Sequence, residues 1–177
     1  VGSEMCIRDR YSLNIHIEAW PLEGAFRISR GTRKVSDVLM VEVNDGNYVG
    51  RGECFPYARY GEDIDSVQKQ LNSVRSEIEH GLDRQALLNV LAPGAARNAV
   101  DCALWDLEAK RAGVRVWDLA DLPAPEPVTT VYTLGVDEPA IMGKRARENS
   151  NRPRLKLKMT GDGADLELSL IHISEPT

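Results

Sequence analysis

The chain has 177 residues, with 22 Lys and Arg against 27 Asp and Glu, and 42% of its residues are hydrophobic. The resulting formal net charge of -5 gives no electrostatic footprint for nucleic acid. No apolar run approaches the roughly 20 residues of a membrane-spanning helix. The composition therefore predicts a globular protein without nucleic-acid or membrane partners, long enough for one domain and part of another.

The two ends of the sequence are related to each other. A DNA string that encodes residues 1–10 has a reverse complement that translates, letter for letter, as Leu168 to Thr177. That string also looks like a transposon-end adapter used to prepare sequencing libraries. Residues 1–10 and 168–177 are therefore interpreted as adapter-derived and non-native, and they carry no information on the fold. On this interpretation the native part, about 11–167, is a fragment.

Residues 11–54 show the period of β-structure. Leu13, Ile15 and Ile17 alternate with polar neighbours, as in a half-buried strand, and a second apolar run covers residues 38–43. Turn-forming residues follow, and a returning strand is predicted over 48–53. The pattern predicts a three-stranded antiparallel meander.

The apolar period then changes from two to 3.6. One helix is predicted over 64–78, because five apolar residues share a face: Ile64, Val67, Leu71, Val74 and Ile78. Asp83 is a suitable cap for a short helix that ends near Leu91. A third helix is predicted from about Ala95 to Ala112, closed by Gly113.

Residues 121–127 are rich in Pro and Ala, which indicates a stiff linker between domains. The pattern beyond it is strand, helix, strand. The strands are predicted at 128–134 and 155–159, and the helix begins around residues 137–139. This alternation favours a parallel sheet or a (β/α) barrel that has only begun.

Lys156 and Lys158 lie two residues apart in the last predicted strand, so both ammonium groups leave on one face. Leu155, Leu157 and Met159 would then face the helices. Repulsion between neighbouring ammonium groups favours the neutral form of one of them, and a neutral lysine can act as a general base. The same pattern also fits the solvated face of an edge strand, and the two interpretations stay open on the pattern alone.

Other chemically capable residues have simpler interpretations. Cys54 and Cys102 lack metal-ligand spacing and are predicted to pack in a protein of the reducing cytoplasm. His16 and His80 are interpreted as a strand-face and a helix-end residue. Trp105 is predicted to pack in the core.

Three stretches carry a wider resemblance: residues 18–22 with 26–33, residues 50–62, and residues 93–110. Together they resemble the enolase superfamily, and the Pro-Tyr-x-Arg-Tyr-Gly-Glu run in the second stretch points to its dipeptide epimerases of the L-Ala-D/L-Glu type. The resemblance implies an α+β capping domain over 11–120. It also implies that residues 128–167 form the start of a (β/α)₇β TIM-like barrel, with its first two strands only.

The resemblance also implies roles for individual residues. Lys158 matches one of two acid/base lysines, and Lys156 a substrate-side neighbour. Thr133, at the end of the first barrel strand, matches a substrate-binding position. Arg33, expected in the loop between the first strands, matches an arginine that contacts the dipeptide from the cap.

The implied reaction is a 1,1-proton transfer at the α-carbon of the C-terminal residue of a dipeptide, with Mg²⁺ stabilising the enolate. The family's metal ligands lie on the third to fifth barrel strands and its second lysine on the sixth, so the fragment itself is expected to be inactive. Asp162 and Asp165 are interpreted as solvated loop residues, not ligands. Arg59, Tyr60 and Glu62 either shape the cap loop beside the substrate or have a structural role.

Several alternatives stay open. The parent protein is expected to act in the cytoplasm on Ala-Glu from peptidoglycan turnover, and its assembly into a homo-oligomer is left open. The runner-up activity is that of a cycloisomerase or an o-succinylbenzoate-synthase-like lyase that uses the same lysine. A third interpretation is a sequencing artefact without biological activity.

Overall fold

The computed structural model describes residues 11–28 and 31–161. Both segments interpreted as adapter-derived, and also Asp162 and Asp165, lie outside the described residues. The described chain forms two compact units, one of residues 11–20 and 36–125 and the other of 21–28, 31–35 and 126–161. No helix in these ranges is long and apolar enough to cross a bilayer.

A three-stranded sheet begins the chain, with its strands in the order β1–β2–β3. These strands are β1 (Ser12–Ile28), β2 (Gly31–Asn44) and β3 (Val49–Cys54). Strands β2 and β3 are antiparallel, with Leu39 opposite Cys54 and Asn44 opposite Val49. The predicted three-stranded sheet is confirmed.

The first two strands extend further than the sequence predicts. Because β1 ends at Ile28 and β2 begins at Gly31, Arg33 is a residue of β2, and its prediction as a loop residue is wrong. Ladder hydrogen bonds between strands do not require alternating apolar side chains. Residues 31–35 are all exposed, so this part of β2 carries no period-two signal in the sequence.

Five helices follow the sheet: α1 (Ile64–Ser73), α2 (Arg75–Glu79), α3 (Arg84–Val90), α4 (Ala95–Ala112) and α5 (Val116–Leu119). A 3₁₀ turn at Ala58–Tyr60 precedes them. Helix α4 packs along β3, and both α1 and α3 pack against α4. The bounds of α4 are as predicted, and Gly113 closes it with a left-handed φ of 67°. The pattern does not predict α5, which is too short to show a period.

The helix predicted over 64–78 is interrupted at Val74, whose φ and ψ are -111° and 12°. The Ser73 hydroxyl donates to the carbonyl oxygen of Gln70 at 2.7 Å. In an unbroken helix that carbonyl would accept the Val74 N–H, so the serine competes with the backbone. The face of the predicted helix is nevertheless retained, since Val74 and Ile78 are both buried.

Strand β3 and helix α4 approach each other closely in the first unit. A Cβ atom at Gly50 would lie 2.0 Å from the carbonyl oxygen of Ala103, and one at Gly52 would lie 2.0 Å from that of Ala99. Both neighbours are backbone atoms of a long helix, so neither can move aside alone. The two glycines therefore set the distance between α4 and the sheet.

Helix α4 also makes hydrogen bonds to the outer edge of β3. Three bonds join its side chains to the strand's backbone: Lys110 Nζ to Val49 O (2.7 Å), Arg51 N to Asp106 Oδ2 (2.8 Å) and Asn98 Nδ2 to Glu53 O (3.3 Å). Unpaired edge groups of this kind are a template for pairing with other strands. The helix covers that edge.

Beside residues 21–28 of β1 and 31–35 of β2, the second unit contains β4 (Tyr132–Leu134), α6 (Pro139–Glu148) and β5 (Leu155–Leu157), and β4 and β5 are parallel. Leu134 and Met142 are buried here, with Ala146, Leu155 and Leu157 packed against them. The predicted strand–helix–strand order is confirmed, and the leucines of β5 face the helix as expected. Met159 does not, because β5 ends before it, and it is 46% exposed.

The turn between β2 and β3 is organised by Asp45. Its Oδ1 accepts the N–H groups of Asn47 at 2.9 Å and Tyr48 at 2.8 Å, and its Oδ2 lies 3.4 Å from Nε of Arg111. Burial raises the pKa of Asp45, but the hydrogen bonds from Tyr48 and Asn47 and the charge of Arg111 outweigh it. The pKa of this carboxyl is therefore lowered.

We expect Gly52→Ala to lower the free energy of unfolding by about 3 kcal/mol, since the added methyl group must displace the backbone of α4. Urea unfolding followed by circular dichroism measures this change. Glu53→Ala is the matched control, because the neighbouring side chain is exposed. Equal unfolding midpoints for the two variants would contradict the close approach.

We expect the Asp45 charge to contribute about 1 kcal/mol of stability near neutral pH. Because its folded pKa is lowered, this contribution is present above the unfolded pKa of about 3.9 and is lost as pH falls through the folded pKa. Asp45→Asn keeps the Oδ1 acceptor and removes the charge, so it should destabilise the chain at about pH 6 and much less at about pH 3. Thermal unfolding across this range, with exposed Asp37→Asn as control, checks the prediction. A difference that is constant with pH would contradict it.

Candidate active site

Three of the predicted site residues meet on the β4–β5 pair. In its register Thr133 lies opposite Lys156, so their side chains share one face of the sheet. Lys158 follows the end of β5, and its N–H donates to the carbonyl oxygen of Leu134 at 3.1 Å. The strand pairing thus continues as far as Lys158, and alternation places its side chain on the same face as Lys156.

This face has the character expected of a site rather than of a core. The opposite face carries Leu134 and Leu157, which pack with α6. Lys156 is exposed, whereas Thr133 and Lys158 are half-buried. Lys158 follows the carboxyl end of β5, and Thr133 and Lys156 each lie one residue before the carboxyl end of their strand, the edge at which (β/α) proteins build their catalytic sites.

The fourth predicted residue, Arg33, is not on the β4–β5 pair, although residues 31–35 belong to the same compact unit as that pair. Arg33 is an exposed residue of β2, in the antiparallel sheet. The geometry that joins Thr133 to Lys156 was not predictable from spacing, since strand register is a property of the pairing. Sequence reasoning placed the two residues at the ends of successive strands but could not place them opposite each other.

A cavity of about 230 Å³ opens at the other end of the strand pair. The Arg152 guanidinium lies 4.0 Å from the centroid of the Tyr132 ring, a cation–π contact that the sequence pattern did not predict. The cavity is lined by residues at the amino ends of β4 and β5: Thr129, Thr130, Val131, Tyr132, Arg152, Pro153 and Arg154. It is therefore separate from the lysine-bearing ends.

The two cysteines of the described chain offer no thiolate at neutral pH. Burial, and then the carboxylate of Glu62, raise the pKa of the Cys54 thiol to about 11. Burial, and then Asp101, also raise the pKa of Cys102. Thiols that stay protonated are poor nucleophiles and poor metal ligands. The packing role predicted for Cys54 is confirmed because Cys54 is buried, but the same prediction for Cys102 is wrong, since Cys102 is exposed.

Residues 11–28 and 31–161 contain no group of three or more His, Cys, Asp or Glu side chains that could hold a metal ion. They therefore do not fit the Mg²⁺ that the sequence resemblance implies.

The positions of His16, His80 and Trp105 are explained by local structure. His16 Nε2 lies 3.5 Å from Glu42 Oε2, His80 lies at the end of α2, and Arg84 lies 3.5 Å over the Trp105 ring.

Residues 10–120 match the N-terminal domain of the mandelate racemase / muconate lactonizing enzyme family. The chain belongs to this family. The α+β unit with its three-stranded sheet is thus the family's N-terminal domain, and the resemblance drawn from the sequence is confirmed.

Relatives within the family are epimerases and racemases of amino-acid derivatives. L-Ala-D/L-Glu epimerase of Escherichia coli K12 is 44% identical over 135 residues, which cover 76% of this chain and 42% of the relative. N-acetyl-D-glutamate racemase of a Pseudoalteromonas species is 32% identical over 126 residues, covering 69% of this chain and 39% of the relative. The chain spans less than half the length of both.

The solved structures that resemble this chain are of the same kind as these sequence relatives. An enolase family member from Agrobacterium tumefaciens with homology to dipeptide epimerases, bound to sodium and L-Ala-L-Glu, is 42% identical with a TM-score of 0.84, covering 91% of this chain and 50% of its own. A dipeptide epimerase from Enterococcus faecalis V583, complexed with Mg and L-Leu-L-Tyr, is 26% identical with a TM-score of 0.78, covering 92% and 49%.

We expect Cys54 to react with iodoacetamide at about pH 8 on the order of 100-fold more slowly in the folded chain than in urea. A thiol with a pKa of about 11 is almost entirely protonated there, whereas an unfolded cysteine titrates near 8.5. Peptide mass spectrometry distinguishes Cys54 from the exposed Cys102. Equal rates for Cys54 in the two states would show that the thiol is neither buried nor shifted.

Proposed function

We propose that the chain is part of a Mg²⁺-dependent dipeptide epimerase that inverts the α-carbon of the C-terminal residue of L-Ala-D/L-Glu-type dipeptides. The observation that carries this proposal is the register of β4 and β5, with Thr133 opposite Lys156 and Lys158 beyond the strand end. The names of the relatives support the substrate class, since both the E. coli enzyme and the A. tumefaciens structure involve Ala-Glu.

The chemistry proposed for these side chains is limited to one face of the substrate. Lys158 would take the α-proton, which is general-base catalysis. The neighbouring cation of Lys156 would attract a substrate carboxylate, and the hydroxyl of Thr133 can donate or accept one hydrogen bond. Inversion requires a second base on the opposite face, which this chain does not place on the β4–β5 pair.

Mg²⁺, when bound, would stabilise the negative charge that develops as the proton leaves. The described residues supply no ligand set for it, so its ligands are assigned to the part of the relatives that this chain does not cover. We place Arg33 on the cap side of the same dipeptide site, supported by the sequence resemblance alone.

The proposal extends to organisation and setting. Residues 11–120 would be the capping domain, 121–127 a linker, and 128–167 the first βαβ of the barrel. The change of compact unit between Pro125 and Glu126 supports the linker. We place the parent enzyme in the cytoplasm, acting on Ala-Glu from peptidoglycan turnover.

The decisive test uses the full-length gene, recovered by sequencing outward from the codons for residues 154–167. We expect Lys158→Ala to lower epimerisation of L-Ala-L-Glu by about 1,000-fold, the scale of general-base catalysis. Exchange of the α-proton with D₂O, followed by NMR, should be lost for one epimer and retained for the other, because the second base remains. Lys144→Ala, an exposed lysine of α6, is the control.

Two outcomes would contradict the proposed function. If Lys158→Ala abolished exchange in both epimers, or in neither of them, Lys158 would not be the base that acts on one face of the substrate. Turnover of N-acetylglutamate in preference to every dipeptide would assign the protein to the racemase chemistry of the Pseudoalteromonas relative.

We expect the 177-residue chain itself to show no epimerase activity at any Mg²⁺ concentration, because the β4–β5 pair presents one acid/base lysine and inversion needs a base on each face. The measurement is conversion of L-Ala-L-Glu to its epimer by the purified chain, followed by NMR, because α-proton exchange without inversion needs only one base. Metal-dependent conversion that Lys158→Ala abolishes would overturn this expectation.

A further inference from the structure

Helix α4 begins without a side-chain cap of its own. Its N-cap residue is Gly94, which has no side chain to accept the first free N–H groups. The N–H of Ala95 instead donates to Oε1 of Glu62 at 2.7 Å, across 33 positions of sequence. A carboxylate at the start of an 18-residue helix is also favoured by the helix dipole.

Glu62 follows an exposed aromatic segment, residues 55–61. The ring centroids of Phe55 and Tyr57 are 6.3 Å apart, and those of Tyr57 and Tyr60 are 5.8 Å apart. Tyr60 is 75% exposed, whereas Pro56 and Tyr57 are half-buried. A turn closes it, with the N–H of Gly61 donating to the carbonyl oxygen of Ala58 at 3.0 Å.

The two ends of this segment are anchored differently. Cys54, before it, is 5% exposed and belongs to the core. After it, Asp63 and Ser66 form a capping box that starts α1. Between these anchors, the Glu62–Ala95 hydrogen bond ties the segment to α4.

We propose that Glu62 is a positioning residue, which caps α4 from outside the helix and thereby holds the aromatic segment 55–61 in one arrangement. This inference goes beyond the proposed function and does not depend on it, since no catalytic step enters the argument. It assigns a role to Glu62, the glutamate that ends the Pro-Tyr-x-Arg-Tyr-Gly-Glu run. The rings would be presented by a helix terminus rather than by a core.

Gly94 provides an independent handle on the same contact. A Cβ atom at Gly94 would lie 2.7 Å from Oε1 of Glu62. The backbone of Gly94 is extended, with a φ of 163°, so alanine causes no strain there. Gly94→Ala should therefore displace the carboxylate and reproduce the effect of removing it.

The test measures the segment separately from the fold. Trypsin cleaves after Arg59, which is exposed in the segment, and after Arg84, which begins α3. In the full chain we expect Glu62→Ala to raise the ratio of Arg59 to Arg84 cleavage about tenfold, and Glu62→Gln, which keeps an acceptor oxygen, to restore most of the protection. Glu53→Ala, an exposed carboxylate nearby, should leave the ratio unchanged.

A double-mutant cycle completes the test. The Glu62→Ala and Gly94→Ala variants should each raise the cleavage ratio, and the double variant should match Glu62→Ala alone, because both act on one contact. Hydrogen exchange at the Ala95 amide should accelerate in parallel. An unchanged ratio in Glu62→Ala, or additive effects in the double variant, would overturn the proposal. A general loss of stability would raise cleavage after Arg59 and after Arg84 together, so it would leave the ratio of the two unchanged.

Discussion

The first unit depends on the direct contact between the backbone of α4 and the backbone of β3. Gly50 and Gly52 permit it, since any side chain at either position would overlap a carbonyl oxygen of the helix. Helices usually pack on sheets through side chains, at larger distances. Here the absence of two side chains brings the helix close enough for its own polar residues to reach the strand's edge.

That closeness has two consequences for the rest of the unit. Along its length, side chains of α4 bond to three outer backbone groups of β3, which leaves fewer of these groups free to pair with another strand. At its start, α4 receives the carboxylate of Glu62 and so determines where the aromatic segment 55–61 lies. The core of the first unit, the outer edge of β3 and the aromatic segment 55–61 are therefore all positioned by α4.

The second unit depends less on burial and more on hydrogen bonding between strands. Helix α6 covers one face of the parallel β4–β5 pair, and burial is concentrated on Leu134 and Met142. Val128 remains 87% exposed and Val131 44% exposed. Two strands are the minimum that can define a register, and this register is what places a threonine and two lysines together. The candidate site is thus ordered by hydrogen bonding more than by a packed core.

The sequence by itself determined the local features of this protein. Helix α4 was predicted over 95–112, with Gly113 closing it, because its periodicity and its C-terminal cap both operate within a turn or two of the chain. The cap at Asp83 followed for the same reason, and its carboxylate accepts the Ala86 N–H at 2.7 Å. The shared face of Lys156 and Lys158 needed only the period of a strand.

Tertiary structure alone decided the features that join distant segments. The register that sets Thr133 against Lys156 and the bond from Ala95 to Glu62 connect residues more than 20 positions apart. The inclusion of Arg33 in β2 likewise required a partner strand rather than a local pattern. Periodicity reports which side chains share a face of one element. It carries no information on which neighbour pairs with that element, since pairing depends on backbone groups that every residue possesses.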